Sequence, residues 1–284
     1  MRYFGYGSNL HAEDLARWLR AHGFDPGAIR EVGPAWLPDH EPVYHYFSAV
    51  RDGGALSVRE RVGCATPGAL FDVDDAGWRA LDRKEGAKYE RVRRWILCGG
   101  REVEAHTYVV REAHREERHV APRPEYAELV RAGLEARGLP TEQATDATRR
   151  LGVDAFPRRL FVYGTLLRGE SRGYLLDRYA SGPRTTAHIR GRLVHLGAYP
   201  GLVFHEGGDD GEVEGELVEL DEPADAFEEL DAIEDFRGYG RPDSLYRREP
   251  IEVGPSGHAW TYRYLGPDAP RIASGDWRRR PVRR

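Results

Sequence analysis

The chain has 284 residues, 40% of them hydrophobic and 31% charged, with a formal net charge of −5. That length accommodates about two domains, and the composition is that of a globular protein rather than a disordered or fibrous one. No apolar run approaches the ~20 residues of a membrane-spanning helix, and the mildly acidic charge gives no reason to expect nucleic acid as a partner.

In chain order, Tyr3 to Leu10 reads as a short buried strand running into a glycine turn. No basic region followed by an apolar one precedes it, so no secretion signal is expected. Leu15, Trp18 and Leu19 mark an amphipathic helix that ends near Gly23. Glycine and proline then break the pattern from Asp25 to Pro42, and Val43 to Val50 reads as a strand ending at the turn Arg51-Asp52-Gly53-Gly54. Ala69 to Val73 is another strand, leading into a helix through Glu85. Tyr89 to Leu97 and Val103 to Val110 form a hairpin around Cys98-Gly99-Gly100-Arg101, and Pro124 to Gly138 is a helix with Tyr126, Leu129, Val130 and Leu134 on one face. Cys64 and Cys98 form no C-x-x-C, which suits a reducing cytoplasm.

The polar stretch 143–157 is expected to be a linker between a first domain, 1–142, and a second, 158–284. Second-half strands are expected at Leu160–Tyr163, Arg192–Leu196, Leu202–His205, Glu212–Leu220, Tyr246–Val253 and Ala259–Tyr264. The tail Arg278 to Arg284 reads as a solvated basic end. Strands and helices mix without a βαβ alternation, so the fold class is α+β, each half a small mixed barrel with flanking helices.

Two features occur twice. Phe161-Val162-Tyr163-Gly164-Thr165-Leu166 repeats Phe4-Gly5-Tyr6-Gly7-Ser8-Asn9, with Tyr163 lying 157 positions after Tyr6 (163 − 6). Glycine at a strand-to-helix turn lets backbone N–H groups approach an anion or a developing oxyanion. Downstream, Trp78, Leu81, Asp82 and Glu85 have the spacing of Phe227, Leu230, Asp231 and Glu234, each pair 149 apart (234 − 85). That spacing puts Glu85 and Glu234 on the apolar faces of their helices. A carboxylate is costly to desolvate there, its pKa rises, and it suits general-base work.

At these residues the chain resembles the γ-glutamylcyclotransferase family. Tyr6-Gly7-Ser8-Asn9 and Leu81-Asp82-Arg83-Lys84-Glu85-Gly86 with Tyr89 resemble the family's signatures in the first half. The second half is similar to the γ-glutamylamine cyclotransferase and AIG2-like branch at Tyr163-Gly164-Thr165-Leu166, Ala198-Tyr199-Pro200-Gly201, Leu230-Asp231-Ala232-Ile233-Glu234 and Gly275-Asp276-Trp277. The resemblance implies two tandem domains that release 5-oxoproline and a free amine or amino acid from a small γ-glutamyl compound. The α-amine of the glutamyl group attacks its own γ-carbonyl, and no metal or organic cofactor is implied. By the same resemblance Glu85 and Glu234 are the bases. Tyr6, Gly7, Ser8, Asn9, Leu10 and Tyr89 line the first pocket, and Tyr163, Gly164, Thr165, Leu166 and Tyr246 the second.

The second half departs from the pattern. Leu166 stands where the first half has Asn9, Asp235 rather than Gly follows Glu234, and Tyr246 comes 12 residues after its Glu (246 − 234) against 4 for Tyr89 (89 − 85). The two sites are therefore expected to differ, one half serving as a supporting copy. Ser8 lacks a G-x-S-x-G elbow, Leu10 stands where a dinucleotide fingerprint needs its third Gly, and there is no P-loop or H-E-x-x-H. The rival from another class is a non-catalytic module that binds a γ-glutamyl or amino-acid ligand. A pure binding site, however, gains nothing from an unpaired buried glutamate.

Overall fold

A computed structural model describes residues 1–204 and 210–280 and divides the chain into two compact units, Met1–Asp154 and Ala155–Arg284. In the first unit, strands β1 (Arg2–Gly5), β2 (Ile29–Ser48), β3 (Gly53–Val73), β4 (Tyr89–Cys98) and β5 (Arg101–Val110) form a closed barrel in the order β1-β3-β2-β4-β5. A parallel pairing of Tyr3 with His106 joins its ends. Helices α1 (Ala12–Ala21), α2 (Asp75–Glu85), α3 (Pro124–Glu135) and α4 (Glu142–Ala147) flank it.

β2 corrects the expected break at 25–42. Its pairing with β3 runs from Ile29 to Ser48 through three register shifts, one of them between Pro38 and His40. Proline is tolerated where its missing N–H has no ladder partner. β4, the other neighbour of β2, pairs with it only at Ala35 and Trp36. At the bulge, Asp39 takes a positive φ of 54° and its carboxylate accepts from the Gly63 N–H at 2.9 Å. The stretch 143–157 also holds more structure than its composition suggests. Ala144, Ala147 and Val153 join the first core, and the buried Glu41 carboxylate accepts from Arg59, Arg61 and the Val153 N–H.

In the second unit, β6 (Arg159–Val162), β7 (Thr185–His195), β8 (Pro200–Val203), β9 (Gly211–Glu219), β10 (Tyr246–Glu252) and β11 (His258–Tyr264) form a six-stranded sheet in the order β10-β11-β6-β9-β7-β8. Helix α5 (Pro223–Ile233) packs Phe227 and Leu230 into its core. The sheet rolls so that its two edges meet through side chains. Tyr246 Oη donates to Pro200 O at 2.6 Å, and the Tyr264 ring lies so close to Gly201 that a Cβ there would come within 2.7 Å of it. His205, expected in the strand that is β8, lies outside the described residues, as does 281–284 of the basic tail. The described part of that tail is not free. Trp277 is buried with its Nε1 donating to Glu170, Arg280 pairs with Glu170, and Arg278 pairs with Glu216.

The repeated sequence is a repeated bonding frame. The Thr107 hydroxyl donates to Phe4 O at 2.8 Å and the Thr261 hydroxyl to Phe161 O at 3.0 Å. The Phe4 and Tyr6 rings stack at 6.3 Å, and those of Phe161 and Tyr163 at 6.5 Å. Under each pair a glycine of the neighbouring strand leaves room for the phenylalanine. A Cβ on Gly68 would meet Gly5 O at 2.3 Å, and one on Gly215 would meet Val162 O at 2.4 Å. Gly68→Ala and Gly215→Ala should each destabilise the protein by about 1–3 kcal/mol through overpacking, measurable as a lowered denaturation midpoint in scanning calorimetry.

Candidate active site

Each glycine turn is fastened by its own tyrosine. Tyr6 Oη donates to Tyr108 O at 2.5 Å and Tyr163 Oη to Tyr262 O at 2.6 Å. Burial pushes both hydroxyls far above their ordinary pKa, so they stay protonated and act as donors. The next tyrosine along continues the chain, Tyr108 Oη donating to Asp82 at 2.5 Å and Tyr262 Oη to Asp231 at 2.6 Å. An arginine completes each set. Arg91 lies over the Trp78 ring 3.8 Å from the Asp82 carboxylate. Arg248, almost fully buried, grips Asp231 through Nε at 3.0 Å and Nη2 at 3.1 Å while lying over Phe227. The aspartates of the helical spacing thus tie helix to sheet.

The two glutamates emerge one turn further on, at the ends of α2 and α5. Each is followed by a residue at positive φ, Gly86 at 70° and Asp235 at 50°. Aspartate is one of the few residues with a side chain that tolerates this region, so the departure from Gly to Asp leaves the turn intact. Both glutamates are half-buried and each lines a cavity facing its glycine turn.

The cavities differ. The first, about 30 Å³, is bounded by Tyr3, Tyr6, Ser8, Asn9, Glu85 and Tyr89 among others, and has room for about two waters. Asn9 Nδ2 donates to Glu85 Oε1 at 2.8 Å and to Tyr3 Oη at 2.9 Å, while its Oδ1 is buried without a partner among the described residues. Arg51 donates to the Ser8 hydroxyl at 3.2 Å and lies over the Tyr126 ring, which closes another wall. Leu10, expected on this pocket, is in the core instead. It is 1% exposed and packs against Gly133 of α3, where a Cβ would come within 2.5 Å of Leu10 Cβ.

The second cavity is about 290 Å³ and brings together Tyr163, Gly164, Thr165, Leu166, Glu234 and Tyr246, close to the range of small-molecule sites. With Leu166 in place of asparagine, no amide reaches Glu234 among the described residues, and burial pushes its carboxyl up to about 7, against a lowering by Arg172 and a further raising by Asp231. Among the described residues no acceptor takes the N–H of Thr165 or Leu166, which leaves two donors at the turn. Tyr89 and Tyr246 hold matching posts despite their different spacing, donating to Leu56 O at 2.9 Å and Pro200 O at 2.6 Å. Sequence reasoning missed Arg172, Tyr199 and Tyr262 on the second cavity. Tyr199 stood within a quoted motif, but Arg172 lies on an irregular loop with no periodicity to mark it.

A family model described as gamma-glutamyl cyclotransferase, AIG2-like, matches residues 3–128 and 160–279. The chain is 33% identical over 141 residues to gamma-L-glutamyl-butirosin B gamma-glutamyl cyclotransferase of Niallia circulans, spanning 46% of this chain and 82% of that protein. Among solved structures it is similar to a gamma-glutamyl cyclotransferase at 20% identity and a TM-score of 0.45, covering 55% of this chain and 90% of that one. It is also similar to uncharacterized protein loc79017 from Homo sapiens at 22% identity and a TM-score of 0.45, covering 54% and 89%.

The raised pKa of Glu234 has a consequence for stability. The unfolded carboxyl ionises near 4.5 and the folded one near 7, so between these values the folded state holds the extra proton and stability falls as pH rises. At about 1.4 kcal/mol per unit the loss reaches about 3 kcal/mol above pH ~7. Glu234→Gln should remove it, unfolding at higher urea than the parent at pH about 8 and at a similar urea concentration at pH about 4.

Proposed function

Because the chain belongs to the gamma-glutamyl cyclotransferase, AIG2-like, family, we propose that its second unit releases 5-oxoproline and a free amine or amino acid from a γ-glutamyl compound. Glu234 takes a proton from the substrate α-ammonium group. The freed amine attacks the γ-carbonyl carbon, and the N–H groups of Thr165 and Leu166 receive the oxyanion. As the tetrahedral species collapses, Glu234 gives its proton to the leaving nitrogen while the bond to it breaks, and the carboxylate then takes the surplus proton of the ring nitrogen and passes it to the departing amine, which leaves as an ammonium ion. Both reacting groups belong to one molecule, so the protein has mainly to hold the chain folded with amine and carbonyl in contact. The aromatic walls Tyr163, Tyr246 and Tyr262 keep water from competing.

The observation that carries this reading is the pairing of an uncapped carboxyl poised near pH 7 with a glycine turn across a cavity of about 290 Å³. A base is most effective when its pKa lies near the working pH. The first cavity has the fuller set of family residues, yet at about 30 Å³ it is filled by its own side chains. We therefore assign turnover to Glu234 and a supporting role to Glu85. The relative from Niallia circulans is named for gamma-L-glutamyl-butirosin B, which favours a γ-glutamyl amide as substrate class.

The expected outcome is 5-oxoproline release from at least one of a panel of γ-glutamyl amino acids and amines, read by chromatography. Glu234→Gln should lower kcat by roughly 10²–10⁴, while Glu85→Gln keeps most of it. The acid limb of kcat/KM should bend near pH 7, rising with pH as Glu234 ionises. Full turnover by a folded Glu234→Gln protein would remove the assignment.

A further inference from the structure

We propose that Arg172 is the specificity residue of the second cavity, binding the α-carboxylate of the substrate's glutamyl group and of the 5-oxoproline formed from it. This rests on the cyclotransferase reading of that cavity.

Among the described residues that line the cavity, three are charged: Arg172, Glu234 and Asp235. Asp235 is occupied, 3.0 Å from the Arg237 guanidinium. Arg172 has no carboxylate within 4.0 Å among the described residues. That sets it apart from its neighbours. Arg184 pairs with Asp177, Arg248 with Asp231, Arg278 with Glu216 and Arg280 with Glu170. Arg172 is the cation in this wall left with a free fork.

Its backbone, by contrast, is fixed. The Arg172 N–H donates to Thr165 O at 2.9 Å, its carbonyl accepts from Leu175 N–H at 3.1 Å, and the next N–H, that of Gly173, goes to Glu170 O at 3.1 Å. Gly173 sits so tightly on Leu167 O that a Cβ would approach it to 2.2 Å. Glu170 is itself held by Trp277 Nε1 at 3.1 Å and Arg280 at 3.2 Å. A loop locked on every side thus presents one uncommitted guanidinium, the arrangement that limits the ordering cost of binding.

The chemistry supplies the ligand. The amine that Glu234 deprotonates and the α-carboxylate are attached to the same carbon. Bringing that carboxylate beside Glu234 sets two negative charges together away from bulk water, which is unfavourable without a cation at the same place. Arg172 is electrostatically coupled to Glu234, pulling its pKa down against burial, so its charge acts where the reacting carbon has to sit. A planar guanidinium also matches a carboxylate with two parallel hydrogen bonds. In the first unit the cation that reaches the glycine turn is committed, Arg51 being bonded to Ser8 and stacked on Tyr126.

The test uses the full chain and two probes that differ only at the carboxylate, 5-oxoproline and 5-oxoprolinamide, in titration calorimetry. The wild type should bind the acid at least about tenfold more tightly than the amide. Arg172→Gln should abolish that preference while leaving affinity for the amide unchanged, and Arg172→Lys should restore part of it. In turnover, Arg172→Gln should raise KM for a γ-glutamyl substrate about tenfold or more, with kcat changed less. Equal affinity of the wild type for acid and amide, or equal loss of both in Arg172→Gln, overturns the inference. If 5-oxoproline is released normally in that case, only the role of Arg172 fails. If no γ-glutamyl compound is turned over, the cyclotransferase reading fails instead, and the binding pair still reports whether Arg172 holds a carboxylate.

Discussion

A buried tyrosine hydroxyl must find an acceptor, and in each unit it finds a backbone carbonyl on the second strand after the site's helix. The bonds from Tyr6 to Tyr108 O and from Tyr163 to Tyr262 O fix the glycine turns. They place the first strand, the turn and the strand beyond the helix in one rigid group. The second tyrosine then reaches an aspartate on the helix itself, Asp82 or Asp231, so the same chain of donors sets where the helix ends. The glutamate three residues later inherits that position. Buried polar groups of this kind stabilise only when every member is satisfied, and here each hydroxyl has its acceptor.

On this common frame a small exchange produces two different carboxyls. Asn9 gives Glu85 an amide donor and occupies space beside it. Leu166 at the matching position gives Glu234 nothing to bond to, and the cavity is about 290 Å³ instead of about 30 Å³. Burial raises the pKa of the Glu234 carboxyl, and among the described residues no amide donor is there to offset it. That carboxyl costs folding stability whenever it is ionised.

Much of this was legible in the sequence because it repeats. The two Tyr-Gly turns, the helical spacing that ends in Glu, and the hairpin Tyr89–Val110 are local patterns, and local patterns survive translation into structure. What escaped depends on partners distant in sequence. The strand from Ile29 was hidden because Pro34, Pro38 and Pro42 read as breakers, and only the pairing with β3 and its bulges makes room for them. Leu10 followed the motif in sequence but turns inward onto Gly133, more than 120 residues away (133 − 10). The helical spacing gave the aspartates beside the glutamates no partner, since Tyr108 and Tyr262 come from later strands. The arginines near the chain's last described residues read as solvated because Glu170 and Glu216 lie far upstream.

The clasp of Trp277 and Arg280 on Glu170 carries a consequence for biosynthesis. Trp277 is made 107 residues after the acid it secures, whereas the first unit has all its parts once Asp154 has been added. On the ribosome, then, the amino-terminal barrel is free to form while the loop behind the larger cavity still lacks its fastening. On this order of events, the loop that carries Arg172 is fastened only once Trp277 has been added.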